Sequence, residues 1–426
     1  MLRISVKDFG AIGDGQVLET AMLQRAINAL AADGGELVFP AGTYLSGALR
    51  LIDNLTIRLE KGAVLQASPD IAEHFHDARC QTDWLCHYFL YGKGIKNFRL
   101  MGEGVVDGSG AAYWEKEYLC GLPLGGLPSE LPIIHYNVLK PRAKRPVLLY
   151  LENCSKIVLE NVVLRNAACY TVWCVGCQEV SIRAVTIRNP RHGPNTDALD
   201  IDCCQKVEID GCDIESGDDC IALKSDYHRC GRLHPCEKIH VEKCRLSSAT
   251  CAIRVGYEGD APIRNATFER LEMVDCRHGI DILSIVPVCP LKIDRGTPVD
   301  NLKFSRITMR NVGQAFFVWA GCEAPRTGYC GHIREVEFSD MTIEAVASSF
   351  VGSEAPGAIS GVRFKNVTMH VANLPEIPPT TDFTRMPSHW GDWWKSGGIR
   401  LYQVCGIKLE QCAISCDQSG FHAVEC

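Results

Sequence analysis

Two short segments of this sequence crowd carboxylates at a spacing that could do chemistry. GPNTDALDID holds Asn195, Asp197, Asp200 and Asp202, and ESGDDCIALKSD holds Asp218, Asp219 and Lys224. Asp197 and Asp219 are 22 residues apart. Carboxylates brought within a few ångströms of one another cannot all ionise freely, so at least one pKa rises. A protonated acid beside ionised partners could serve glycoside hydrolysis, one group protonating the leaving oxygen and another activating water. Two other readings stand beside that one. Aspartates at chain corners form Asx turns, and oxygen donors hold Ca²⁺. Gly217-Asp218-Asp219 lies within an otherwise apolar stretch, which sets it apart from an ordinary solvated turn.

The elements that position these groups follow from a repeat. Segments alternating apolar and polar residues begin at Ile157, Val180, Val207, Ile239, Ala266, Leu302, Val336, Val362 and Ile407. Alternation with period two predicts strands with one buried face. A short period of variable length predicts stacked coils with loops inserted at fixed corners. The fold class expected is therefore all-β, a single-stranded right-handed parallel β-helix. Adjacent coils then lie ~4.8 Å apart, which brings the two acidic segments together on one outer sheet.

The cysteines share this register. Cys154, Cys177, Cys204 and Cys236 each lie three residues before a segment start. Cys212, Cys244 and Cys412 each lie five residues after one, where other coils carry Val162, Val185, Leu271 and Val367. Exchange of Cys with Val and Leu predicts a buried ladder of thiols acting as small hydrophobes. Their spacing is not that of paired zinc ligands. Thr20 to Leu30 has helical spacing, with Met22, Leu23, Ala26, Ile27 and Leu30 on one face, and Gly34-Gly35 is expected to end it. Such a helix would cap the open edge of the first coil. We expect one domain over 1–426, with a cap region at about 1–50, coils at about 51–415, and insertions at about 114–144 and 372–397. The second insertion carries His389, Trp390, Asp392, Trp393 and Trp394, either a sugar-stacking platform or aromatics anchoring their own loop.

Composition excludes several classes. The 426 residues are 46% hydrophobic and 22% charged, with a net charge of −7 and no dense basic run. Disorder is excluded, and neither nucleic acid nor a membrane is an expected partner. No stretch approaches the ~18 apolar residues of a membrane helix. The N-terminal residues lack the pattern of a signal peptide, so a cytoplasmic location is expected. The 23 cysteines are an odd number in a chain long enough to bury its own core. Thiols are therefore expected rather than a disulfide framework.

Several motifs together resemble the polygalacturonase-like family 28 glycoside hydrolases. They are VKDFGAIGDG (Val6 to Gly15), GGELVFPAGTYLSG (Gly34 to Gly47), VVDGSG before Trp114, NTDALDID (Asn195 to Asp202) and SGDDCIALKS (Ser216 to Ser225). The resemblance runs from about residue 4 to 415. It implies hydrolysis with inversion at the anomeric carbon. Asp218 would be the general acid, Asp197 and Asp219 would position and deprotonate the water, and Asn195 would orient the group. Inversion needs ~6.5–9.5 Å between acid and base carboxyl groups.

The chain also departs from the family. Ala249-Thr250-Cys251 stands where the family has Gly-His-Gly. Asp281 and Leu283 stand at the Arg-x-Lys pair that grips a galacturonate carboxylate. A carboxylate there would repel another. Arg254 and Lys224 are candidate replacement cations, and His278 a candidate replacement imidazole. The reading is a hydrolase of a pectin-derived or related oligosaccharide, inverting and exo-acting, with specificity altered from polygalacturonan. No cofactor or metal is implied. The rivals are another β-helix carbohydrate reaction, such as glycosyl transfer or a lyase, and a non-catalytic glycan-binding β-helix.

Overall fold

The computed structural model describes residues 2–79, 85–127, 133–135, 137–226, 229, 231, 234–286, 293, 295–322, 329, 331–372, 397–417 and 421–425. The chain is a right-handed parallel β-helix, the hand expected for parallel strands joined by crossovers. Its contacts fall into two units. One comprises Met1–Gly126, Asn137–Asp200 and Cys204–Asp218. The other comprises Leu127–Tyr136, Ile201–Cys203 and Asp219–Cys426. No helix among the described residues is long and apolar enough to cross a membrane.

In the first unit the repeat stacks in register. Ile157 pairs with Val180 and Val180 with Val207, while Leu159, Ile182 and Ile209 form the next rung. All six are buried, and the residues between them face outward. The second unit continues the same way from Ile239 through Ala266, Leu302, Val336 and Val362. Its inner face carries a column of parallel rings. Phe268, Phe304, Phe338 and Phe364 stack at centroid distances of 4.7, 5.1 and 4.9 Å, with interplanar angles of 6°, 17° and 16°.

The fifth residue of every repeat segment occupies the left-handed region. Asn161, Ala184, Gly211, Lys243, Arg270, Arg306, Asp340, Asn366 and Gln411 have φ between 49° and 65°. Asn161, Ala184, Gly211, Lys243 and Gln411 lie between two strands of their coil, whereas Arg270, Arg306, Asp340 and Asn366 lie within one continuous strand. A side chain there costs about 1 kcal/mol or more, and only one of the nine positions is Gly. The next residue of each segment is the Cys/Val/Leu position. Cys212 and Cys244 are buried as expected, whereas Cys412 is only partly so.

The other cysteine column does more than fill space. Cys154 Sγ donates to Gly92 O at 3.4 Å, Cys177 to Leu151 O at 3.3 Å and Cys204 to Cys174 O at 3.2 Å. In the second unit Cys236 Sγ donates to Ile201 O at 3.4 Å. Each thiol thus supplies a weak donor to a carbonyl one coil back. Contact with Cys177, together with burial, holds Cys174 well above the usual thiol range. Cys154, Cys174, Cys177 and Cys251 are free thiols.

The N-terminal helix spans Thr20–Ala29 and buries Leu23, Ala26 and Ile27. It ends at its cap residue Leu30 rather than at Gly34-Gly35, although Gly34 N–H still reaches Leu30 O at 2.8 Å. The Gln24 amide brackets the backbone of Arg50, donating to its carbonyl at 3.1 Å and accepting from its N–H at 2.8 Å. This side chain gives the strand edge the partners a missing strand would supply. The first insertion contains an antiparallel pair, Trp114–Tyr118 with Leu139–Pro141. The aromatic cluster of the second insertion, His389 to Trp394, lies outside the described residues.

Phe338 is fully buried and also touches Phe316, at 4.7 Å between centroids. Phe338→Ala should cost ~3–5 kcal/mol of unfolding free energy. Chemical denaturation of the two proteins checks this, and a loss below ~1 kcal/mol would show that the ring column does not bear on stability.

Candidate active site

In the first unit the NTD turn is held from below by Arg145. This guanidinium is 2% exposed and donates to Pro194 O at 2.7 Å, Ala168 O at 3.3 Å and Asn195 Oδ1 at 3.1 Å. Asn195 itself has φ 54°, a left-handed conformation that asparagine tolerates. Thr196 Oγ1 donates to Gly193 O at 2.9 Å and accepts from Gly217 N–H at 3.1 Å, tying the NTD turn to the GDD turn. Gly217 has to be glycine, because a Cβ there would lie 2.3 Å from Gly193 O. The Asn189 amide donates to Thr171 Oγ1 at 2.8 Å and Thr196 O at 3.2 Å.

These supports set Asp197 against Asp218. Asp197 is 4% exposed and Asp218 partly exposed, and a carboxylate oxygen of each lies within 4.8 Å of the other. The expected gap of ~6.5–9.5 Å is one between whole carboxyl groups, and the nearest oxygens of this pair lie closer than that. Stacking one coil on the next fixes them near the strand spacing. Asp200 is completely buried on the strand that follows. Close oxygens of this kind can protonate sugar oxygens and orient water, and they are also what a hard cation takes.

In the second unit Asp219 faces Arg254. Arg254 Nε donates to Asp219 Oδ2 at 2.6 Å, and its Nη1 lies 3.4 Å from Asp281 Oδ2. His278 Nδ1 lies 3.0 and 2.9 Å from the two oxygens of Asp281. Arg254 and His278, the candidate replacement cation and imidazole, thus both stand against Asp281. Arg254 and Asp281 occupy the same position of adjacent coils, as do Cys251 and His278, so the register places a cation and an imidazole beside the carboxylate. Burial raises the Asp219 pKa above its ordinary value, with Arg254 pulling the other way and Asp281 adding to the rise.

Lys224 and Leu283 are placed differently. Lys224 is 3% exposed, and its ammonium bonds Oε2 of the partly exposed Glu258 at 2.7 Å. Leu283 belongs to a buried apolar cluster with Ile285, Phe317, Trp319 and Phe350. Asp202 lies close by in this unit and accepts the Asp226 N–H at 2.8 Å. Burial, aided by the Asp226 charge, pushes its pKa up to about 8. Sequence reasoning did not find Arg145, Thr196, Asn189 or Glu258. Arg145, Asn189 and Glu258 stand in no motif of charged or repeated residues, and Thr196 is an uncharged member of NTDALDID. Only the Gly-Pro before Asn195 signals that the turn needs outside support.

A family model described as "Glycosyl hydrolases family 28" matches residues 37–355. A probable polygalacturonase of Vitis vinifera is 27% identical over 399 residues, covering 88% of this chain and 76% of that protein. A polygalacturonase of Gossypium hirsutum is 22% identical over 381 residues, covering 85% and 75%. Among solved structures, an exopolygalacturonase from Thermotoga maritima superposes with TM-score 0.71 at 20% identity, covering 87% of each chain. A family 28 exopolygalacturonase from Yersinia enterocolitica gives TM-score 0.70 at 18% identity, covering 99% of this chain and 77% of its own.

A carboxyl whose folded pKa is raised contributes stability that is full below its unfolded pKa and lost as pH rises through the folded value. For Asp202 that window runs from 3.8 to about 8. Asp202→Asn keeps the oxygen that accepts the Asp226 N–H and removes the titration. The melting temperature of the variant relative to wild type should therefore increase steadily across this window. A difference independent of pH would show that Asp202 titrates normally.

Proposed function

The chain belongs to glycosyl hydrolases family 28, and from that premise we propose that it hydrolyses a pectin-derived or related oligosaccharide, from one end, with inversion. The observation that carries hydrolysis is the pairing of Asp197 with Asp218, one buried and one partly exposed, on two adjoining turns; inversion is what the family resemblance implies. The partly exposed Asp218 is placed to protonate the leaving oxygen. Asp197, held through the backbone by Thr171 N–H to its carbonyl at 2.8 Å, orients the water. Asp219 takes the water's proton. Its pairing with Arg254 keeps an ionised form available to a group that burial alone would neutralise.

Action from a chain end is supported by the first insertion. Leu139 N–H bonds His192 O at 2.9 Å, and Trp114 meets the His192 ring edge-on at 6.0 Å. The hairpin therefore stands against the loop that leads into Asn195, as a wall would. The pectic substrate class is supported by the polygalacturonases among its relatives.

Altered specificity is supported by the state of Arg254. Its guanidinium already faces two carboxylates, Asp219 and Asp281. A uronate carboxylate would meet a cation whose charge is spent, and Asp281 would oppose it. A neutral or substituted sugar would instead find carboxylate oxygens able to accept from its hydroxyls.

Asp218→Asn should lower kcat by at least ~10², the scale of losing a general acid, with little change in fold. Proton NMR of the first product formed by wild type should show the inverted anomer. Near-full activity of the variant, or retention of configuration, would overturn the assignment. Asp281→Asn removes one of the two carboxylates on Arg254. It should lower KM for galacturonides relative to neutral oligosaccharides, and an unchanged KM ratio would separate Arg254 from substrate charge.

A further inference from the structure

We propose that His76, Cys86 and His87 form a binding site for a borderline-soft divalent cation of the zinc type. The three residues lie in the first unit, His76 and His87 on paired strands and Cys86 just before the second. Phe75–His76 runs antiparallel to the start of His87–Lys93, with His76 directly opposite His87. Opposed residues of an antiparallel pair project to the same face, and the two imidazoles lie 4.8 Å apart between centroids, tilted by 39°. Cys86 precedes His87, and its Sγ lies 3.4 Å from His87 Nδ1. One donor atom from each residue falls within 4.8 Å of the others.

This arrangement is close to a coordination sphere. Three donors bound at ~2.0–2.3 Å to one tetrahedral ion stand roughly 3.3–3.8 Å from one another. The Cys86–His87 separation already matches. His76 is exposed and has the rotamer freedom to close the rest, whereas Cys86 and His87 are buried and pre-set. Two imidazole nitrogens and one sulfur select zinc-like ions over calcium or magnesium, which take oxygen. With three protein ligands the fourth position is left to water.

Binding replaces a proton by the metal: the Cys86 thiol loses its hydrogen to solvent as the sulfur–metal bond forms, and both imidazoles bind as neutral rings. The ion would fasten His76 to Cys86 next to the point where Asp77 N–H already bonds Cys86 O at 2.7 Å. Asp77 in turn bonds Lys93 Nζ at 2.6 Å and Arg79 at 2.8 Å, and Arg79 reaches Glu152. A clamp beside Asp77 therefore fixes one end of a four-membered charge network.

The test is metal binding to the full chain after treatment with chelator and reductant. Zn²⁺ is titrated against a chromophoric competitor, and Co²⁺ serves as the spectroscopic probe. One tight equivalent should bind, and Co²⁺ should give a thiolate-to-metal absorption band. Cys86→Ser should abolish that band, and His76→Ala should weaken Zn²⁺ binding by at least ~10-fold. His76 is exposed, so its variant keeps the test valid even where Cys86→Ser fails to fold. No equivalent tighter than ~10 μM, or a band and affinity unchanged in His76→Ala, would overturn the site.

Discussion

In-register stacking of parallel coils is the constraint on which the rest of this protein depends. Once Ile157 sits on Val180 and Val180 on Val207, every position of one coil is committed to the same position of the next. Side chains therefore meet in columns about one strand spacing apart, whatever their chemistry. Aromatic rings in a column stack, as Phe268 through Phe364 do. Thiols in a column reach carbonyls one coil back. Charges in a column are pressed together unless neighbours of opposite sign share the rung.

The acidic groups show both outcomes. Asp197 and Asp218 are set closer than free carboxylates would settle, by a threonine hydroxyl and a glycine that admits no Cβ. In the second unit the register itself supplies compensation, since Arg254 falls on the same column as Asp281. Removing a buried charge's partner is costly because the desolvation of the remaining ion is no longer offset. Arg254, Asp219, Asp281 and His278 consequently form one connected network of ion pairs and hydrogen bonds.

What could be read from the sequence was whatever repeats or clusters. Period-two alternation identified the paired strands, and the segment starts it marked coincide with the paired residues, from Ile157 to Val207 in the first unit and from Ile239 to Val362 in the second. Clustering revealed the two aspartate segments and Arg254 one coil on. Features set by backbone geometry escaped. The left-handed corner is filled by Asn, Ala, Gly, Lys, Arg, Asp and Gln in turn, so no residue type betrays it. Arg145 escaped because its partners are carbonyls of distant turns. The surroundings of Asp281 were legible only in part, because alignment to a motif reports which residue is present and not which atoms it meets.

Neighbour-only pairing has a consequence for how the polypeptide acquires its structure. Within each unit the paired strands are separated by one coil of chain, as from Ser155–Glu160 to Gln178–Arg183 to Gln205–Asp210. A coil can therefore bury its inner face as soon as its predecessor is in place, with no need for the far end of the chain. Nearest-neighbour architectures of this kind nucleate locally and then propagate. Synthesis delivers residues in that same order, at ~5–20 per second. Each newly emerged coil would thus find its template already waiting, and growth could keep pace with the ribosome.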